Sequence, residues 1–179
     1  MKSEDNTRIA KGAASAVVEP RQYLTFLLGA ETYALGILQI KEIIEFSGLT
    51  TVPMMPSHIR GVINLRGAVV PVVDLQVRFG RPSAEVGKRT CIVIIEIAGV
   101  EGKQDVGVVV DQVNEVVEIP AGEIEPPPSF GNGIRADFIQ GMGKMDGRFV
   151  VILGLDATLA VDELARVTDQ VAETEKIAA

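Results

Sequence analysis

The segment Gln39-Ile40-Lys41-Glu42-Ile43-Ile44-Glu45-Phe46 returns as Gln112-Val113-Asn114-Glu115-Val116-Val117-Glu118-Ile119, with Glu115 standing 73 positions after Glu42. At the same offset Tyr33-Ala34-Leu35 aligns with Val106-Gly107-Val108. Further on, Val72-Val73-Asp74-Leu75 aligns with Ile152-Leu153-Gly154-Leu155 at an offset of 80, so the second copy carries a small insertion. Matches that recur in the same order read as a duplication. A unit of roughly 60 to 70 residues buries only about 60% of its unfolded surface and is marginal alone. Two copies must therefore share an apolar interface, with a groove or seam between them.

Within each copy the apolar residues fall in short runs. Leu24, Phe26 and Leu28 recur at period two, as on one face of a strand. Gly29-Ala30-Glu31-Thr32 reads as a hairpin turn into Tyr33-Ala34-Leu35. Further β-branched runs cover 37–46, 62–65, 68–75, 90–98, 105–111, 113–119 and 148–153, most of them separated by Gly, Pro or Asn. Short strands without intervening helices predict a barrel or sandwich, not a βαβ sheet. The expectation is an all-β protein of two small barrel subdomains, residues 21–85 and 86–157. The prolines of 52–56 and 124–128 exclude those segments from central strands. Gly131-Asn132-Gly133 and Gly141-Met142-Gly143 read as loop glycines. Residues 1–20 read as a flexible tail. Asp156-Ala157-Thr158 offers caps for an amphipathic C-terminal helix over 158–179, carrying Leu159, Leu164, Val167 and Val171.

Composition narrows the function. A net charge of -7 argues against a nucleic-acid surface, where Lys and Arg must neutralise phosphate. No apolar run reaches the roughly 18 residues of a membrane span, and the charged N-terminus has no signal-peptide core. The one histidine, His58, has no second His or Cys beside it to share a metal and reads as exposed in a short helical turn. The one cysteine, Cys91, lies in an apolar run and reads as a buried, inert thiol. Nucleotide-binding, zinc-protease and serine-hydrolase motifs are missing from the sequence. Asp74, Asp111 and Asp156 each end or follow a β run and read as turn aspartates. No cofactor is expected, and binding is favoured over catalysis.

Two features stand out as candidate contacts. Arg66-Gly67, between Val62–Leu65 and Ala68–Leu75, reads as a tight hairpin with Arg66 at its tip, either a solvated turn residue or a partner contact. Pro71 makes the second of these runs an edge or bulged strand, able to present Val69 and Val70. In Ile37 to Ile44 neither period-two face is apolar throughout. Core packing and a hydrophobic partner groove rimmed by Glu42 both accommodate that pattern.

The run V-P-x-x-P…G-V-I-N-L-R-G-x-V-V-P-V-x-D-L-x-x-R-F-G, from Val52 to Gly80, resembles the CheW family of bacterial chemotaxis coupling proteins. Gln22–Phe26, Tyr33–Leu35, Ile40–Ile43 and Gly107–Val113 fit the same pattern, so that the likeness covers residues 21 to 157. It departs at Gln76, where many members carry Arg, and in the Pro- and Gly-rich 125–133 insert. The resemblance implies two SH3-like five-stranded barrels. It implies a non-catalytic cytoplasmic adaptor, monomeric when free, that couples methyl-accepting chemoreceptors to a CheA-type histidine kinase within receptor arrays. The receptor's hairpin tip would lie against Ile37, Ile40, Glu42, Ile43, Val108 and Val110, with Arg66 at or beside that surface and paired with Glu42. The kinase's regulatory domain would contact Val52, Pro53, Arg60, Val69 and Phe130. A free-standing adaptor is favoured over a kinase regulatory module, a receiver-fused adaptor, or a small β-barrel enzyme or ligand-binding protein.

Overall fold

Among the described residues eleven strands carry the fold, and their pairing shows how the duplication is used. The computed structural model describes residues 21–83, 85–99, 102–127 and 138–155. The strands are β1 (Arg21–Leu28), β2 (Glu31–Gly36), β3 (Ile40–Glu45), β4 (Ile59–Leu65), β5 (Ala68–Asp74), β6 (Cys91–Gly99), β7 (Gly102–Val110), β8 (Gln112–Ile119), β9 (Ile124–Glu125), β10 (Ile139–Met145) and β11 (Arg148–Leu153). One short helix, α1 (Leu75–Arg78), follows β5. The expected N-terminal tail and C-terminal helix lie outside the described residues.

One sheet has the order β8-β1-β2-β11-β10-β9 and the other β3-β6-β7-β5-β4. Sheet membership therefore does not follow the division at residue 85 that the order of the copies suggests. The first copy's opening hairpin, β1–β2, sits in the sheet of the second copy, and β6–β7 sits in the sheet of the first. Both hairpins are central, each flanked on both sides by strands of the other copy. The offsets map one sheet onto the other: β3 onto β8, β6 onto β1, β7 onto β2, β5 onto β11 and β4 onto β10.

The correspondence extends to register. The two parallel pairings, Val72↔Gly107 and Ile152↔Ala34, are equivalent. A β-bulge between Ile59 and Gly61 recurs between Ile139 and Gly141, and another beginning at Ile40 recurs beginning at Val113. The β4–β5 and β10–β11 hairpins each turn through two positive-φ residues, Arg66-Gly67 and Asp146-Gly147. The Asp74 N–H donates to the His58 carbonyl and the Gly154 N–H to that of Phe138, each at 2.8 Å. His58 is consequently buried, against its reading as an exposed turn residue. Bulges increase local twist, which curls each sheet toward closure.

Glycine at the repeated bulge has a steric reason. A Cβ on Gly61 would lie 2.5 Å from the Thr50 carbonyl oxygen, and one on Gly141 would lie 2.7 Å from the Ile124 side chain. These are the segments that close each barrel, through the Thr50↔Val62 bridge and the β9–β10 pairing. Gly141 and Gly143, read from sequence as loop glycines, thus lie inside β10, because Ile124 and Ile119 occupy the space where side chains would go.

The largest apolar cluster draws on both sheets, with Phe26, Leu28 and Leu35 packed together with Val93, Ile95, Val108 and Val110. Ile92, Ile94 and Val109, of opposite parity, fill the inside of one barrel, and Tyr23, Ile119 and Ile152 that of the other. Covering on both faces explains why Cys91–Ile95 and Val106–Val110 read as nearly continuous apolar runs. An aromatic row, Phe26, Tyr33, Phe79 and Phe138, runs through the shared layer with ring centroids 5.9 to 6.2 Å apart.

A polar knot holds the connector after α1 to β2. The Tyr33 hydroxyl donates to Glu31 Oε2 at 2.6 Å, while Arg81 donates to the Tyr33 hydroxyl at 3.2 Å and to Glu31 at 3.1 Å. Burial, and then the Glu31 hydrogen bond, push the Tyr33 phenol well above its ordinary range. The folded state therefore retains a proton that the unfolded chain releases above about pH 10. Stability from this group is complete below that pH and declines as pH rises beyond it. Tyr33→Phe is expected to lower stability at pH 8 by about 1 kcal/mol, with the gap to wild type narrowing above pH 10 in urea titrations. Gly107→Ala would place a Cβ 2.7 Å from Ile92 Cγ2 and 3.2 Å from Val72 Cγ2. Its expected cost is about 1 to 3 kcal/mol in urea unfolding, whereas Gly122→Ala, with open space around it, should stay within about 0.5 kcal/mol.

Candidate functional site

The β4–β5 hairpin and β3 build one surface together. Leu65 pairs with Ala68, so only Arg66 and Gly67 make the turn, with φ of 53° and 87°. Asn64 Oδ1 accepts the Gly67 N–H at 2.9 Å and fixes the loop. Arg66, its side chain 77% exposed, reaches across to donate to Glu42 Oε2 at 2.6 Å. An exposed pair of this kind contributes about 0.2 to 1 kcal/mol, so stability alone does not account for it. The expected pairing of Arg66 with Glu42 is thus present.

Along β3, residues alternate between half-buried and exposed. Ile40 packs against the shared core, while Ile43 remains 44% exposed. Ile37 lies half-buried in the 3-10 turn that precedes β3. These five residues, Ile37, Ile40, Glu42, Ile43 and Arg66, belong to one sheet edge, its leading turn and the neighbouring hairpin tip. Val108 and Val110 do not join them. Both are fully buried in the layer between the sheets, where β7 is a central strand, so their side chains hold the two sheets together and reach no partner. The seam inferred from the duplication is filled by the chain's own core there.

The second predicted set divides in the same way. Pro53 is exposed, and Val52 and Val69 are half-buried against the shared core. Arg60 is turned inward: its guanidinium donates to Asp74 Oδ2 at 3.0 Å and lies 5.4 Å from the Phe46 ring centroid. That charge is met within the barrel. Phe130 lies outside the described residues. Asp74, the strand-end aspartate, is 1% exposed, and also accepts from the Gln76 and Val77 N–H groups and from the Ser83 hydroxyl. It caps α1 and ties β4 to the segment after α1. Asp74→Ala removes the hydrogen-bonded carboxylate beside the half-buried guanidinium of Arg60 and uncaps α1, with an expected loss of roughly 3 kcal/mol in urea denaturation.

Sequence reasoning missed two residues. Leu38 is 99% exposed and Met54, at a positive φ between the two prolines, is 95% exposed. The excess of apolar residues over what one face of 37–44 can bury was the available signal for Leu38. Cys91, expected to be buried, is half-buried. Burial and then the Glu45 charge raise its pKa, so the reactive thiolate is disfavoured. Among the described residues no group of three His, Cys, Asp or Glu side chains could hold a metal ion, and no helix is long and apolar enough to cross a membrane.

The structure is thus an all-β protein of two barrels locked by exchanged hairpins, with exposed apolar side chains beside an Arg–Glu pair on one edge. The chain belongs to the CheW-like domain family, whose model matches residues 22–163. A chemotaxis protein CheW from Klebsiella aerogenes is 32% identical over 154 residues, 86% of this chain and 90% of its own length. A protein of the same name from Bacillus subtilis is 34% identical over 139 residues, 76% of this chain and 85% of its own. The crystal structure of the scaffolding protein TtCheW from Thermoanaerobacter tengcongensis matches with a TM-score of 0.70 at 37% identity, covering 76% of this chain and 86% of that one. The all-β architecture of two SH3-like barrels expected from the sequence is accordingly that of the family.

Proposed function

We propose that this protein is the coupling scaffold of a bacterial chemotaxis system, linking the cytoplasmic tips of methyl-accepting chemoreceptors to the regulatory domain of a CheA-type histidine kinase. It acts by binding, without making or breaking covalent bonds, and works in the cytoplasm against membrane receptor arrays, as a monomer when free. Membership of the CheW-like family supports this reading, as do relatives named for chemotaxis and a structural neighbour described as a scaffold. The observation that carries the receptor surface is the Arg66–Glu42 pair at 2.6 Å beside the exposed Ile43. On this reading a receptor helix pair lays apolar residues against Ile37, Ile40 and Ile43, with Arg66 and Glu42 giving selectivity.

Kinase contact belongs to a separate end of the first barrel, with Pro53 exposed and Val52 and Val69 partly so. Met54 extends the same connector. Phe130 would add a contact from the second barrel. Arg60 contributes by holding this end together through Asp74. Because the two barrels share one core, a displacement at the receptor surface reaches the kinase surface through a stiff body.

Arg66→Glu places two carboxylates together at the hairpin tip. Its expected effect on unfolding free energy is a loss of about 1 kcal/mol or less, while receptor-dependent kinase stimulation is lost in a reconstituted receptor–scaffold–kinase array. Ile40→Lys should show the same loss of stimulation. Normal signalling by both variants would show that the receptor surface lies elsewhere.

A further inference from the structure

The turn leading into β3 does something that the fold does not require. Ile37, Leu38 and Gln39 form a 3-10 turn closed by the Ile40 N–H on the Ile37 carbonyl, and none of the three is buried. Leu38 stands almost wholly in water. The second copy supplies a comparison at the offset of 73. There Val110, equivalent to Ile37, is fully buried, and Asp111, equivalent to Leu38, is half-buried. Asp111 Oδ2 accepts the Gly29 N–H at 2.6 Å and the Gln76 side-chain amide at 3.3 Å. The same strand register thus supports a turn whose side chains are drawn in. An outward leucine, which forgoes the burial that such a side chain ordinarily gains, is a property of the first copy and not of the architecture.

We infer that Leu38 is an anchor of the receptor-docking surface, received by the apolar stripe of a partner helix. The inference rests on the coupling function proposed above and adds a residue to its docking surface. The structure favours a helix over an added strand. Although β3 is an edge strand, an extra residue at Lys41 bulges it, and Lys41 and Glu45 are charged and exposed. Bulges and charges blunt an edge against strand addition. The charges beside the apolar residues are also met internally. Lys41 Nζ lies 3.0 Å from both Asp105 oxygens, and Glu42 is held by Arg66. An apolar stripe laid over this strip would therefore leave neither charge unpaired. From Leu38 to Ile43 the backbone spans about 14 Å, at about 2 Å per residue in the 3-10 turn and about 3.3 Å per residue in the strand. That lies between two and three turns of α-helix at about 5.4 Å each. Exposed Glu45, just beyond Ile43, suits a Lys or Arg on that helix.

The test uses the full chain carrying Leu38→Asp or Leu38→Met, with receptor-containing membranes and full-length kinase as separate probes. Co-sedimentation with receptor membranes should weaken at least tenfold for Leu38→Asp and stay within about threefold for Leu38→Met. Kinase binding and the urea midpoint should match wild type in both variants, because the side chain is outside the core. Wild-type affinity of Leu38→Asp for receptor membranes would overturn the role of Leu38 and leave the coupling function standing. Equal loss of receptor and kinase binding would also overturn it, by showing no localised docking. Failure of the wild-type chain itself to bind receptor membranes would bring down the coupling function and this inference together.

Discussion

The apolar layer between the two sheets is the constraint on which the rest depends. It forms because each copy gives its opening hairpin to the other's sheet, so β1–β2 and β6–β7 both become central strands covered on two faces. Fully buried side chains from the two hairpins, Phe26, Leu28 and Leu35 against Val93, Ile95 and Val108, meet in this layer. Hydrophobic burial of this kind is non-directional and proportional to area. The relative positions of the sheets are specified further by the row of stacked rings and by the Glu31–Tyr33–Arg81 knot at its margin. A surface set on the edge of one sheet is thereby referred to the same rigid frame as a surface at a barrel end.

The two copies also separate what the architecture demands from what one copy has been free to change. Both keep the glycine-bearing bulge, the two-residue positive-φ turn and the backbone hydrogen bond that closes the barrel end. They diverge at the hairpin tip, where Arg66 faces Glu42 in the first copy while Asp146 stands at the equivalent position in the second. They diverge again at Leu38 and Asp111. Carboxylates at Glu115 and Asp146, on the corresponding elements, could not form the attraction that links Arg66 to Glu42. The asymmetry gives one barrel a neutralised carboxylate and an outward leucine that the other does not have, although Val116, the equivalent of Ile43, is exposed to a similar degree.

Much of this was legible in the residues. Period-two runs and Gly-Pro punctuation predicted the strands, and the offset of 73 predicted the doubling. The Arg66-Gly67 hairpin and its pairing to Glu42 were reached from motif and resemblance. What the sequence left hidden depends on pairing between distant segments. An offset reveals that two units are alike, but β1–β2 would satisfy either sheet by its pattern, so the exchange of hairpins had no local signal. Val108 and Val110 were misassigned for that reason: only in the exchanged arrangement does β7 lie at the centre of a covered sheet. The glycines of β10 look like loop residues until Ile119 and Ile124 are seen filling the space beside them. His58 was misplaced because its burial follows from the barrel-closing bond between its carbonyl and Asp74, far along the chain.

Exchange of hairpins also changes what counts as a unit of this molecule. A break in the connector between α1 and β6 would yield two pieces, each holding part of both barrels and a complete version of neither. Neither piece could bury its own strands, yet each would present the complement that the other lacks, so the pair would regain their shape only by meeting. The duplicated sequence segment and the folded body are thus different divisions of the same chain, and replacing one copy with a foreign one would disturb both barrels at once.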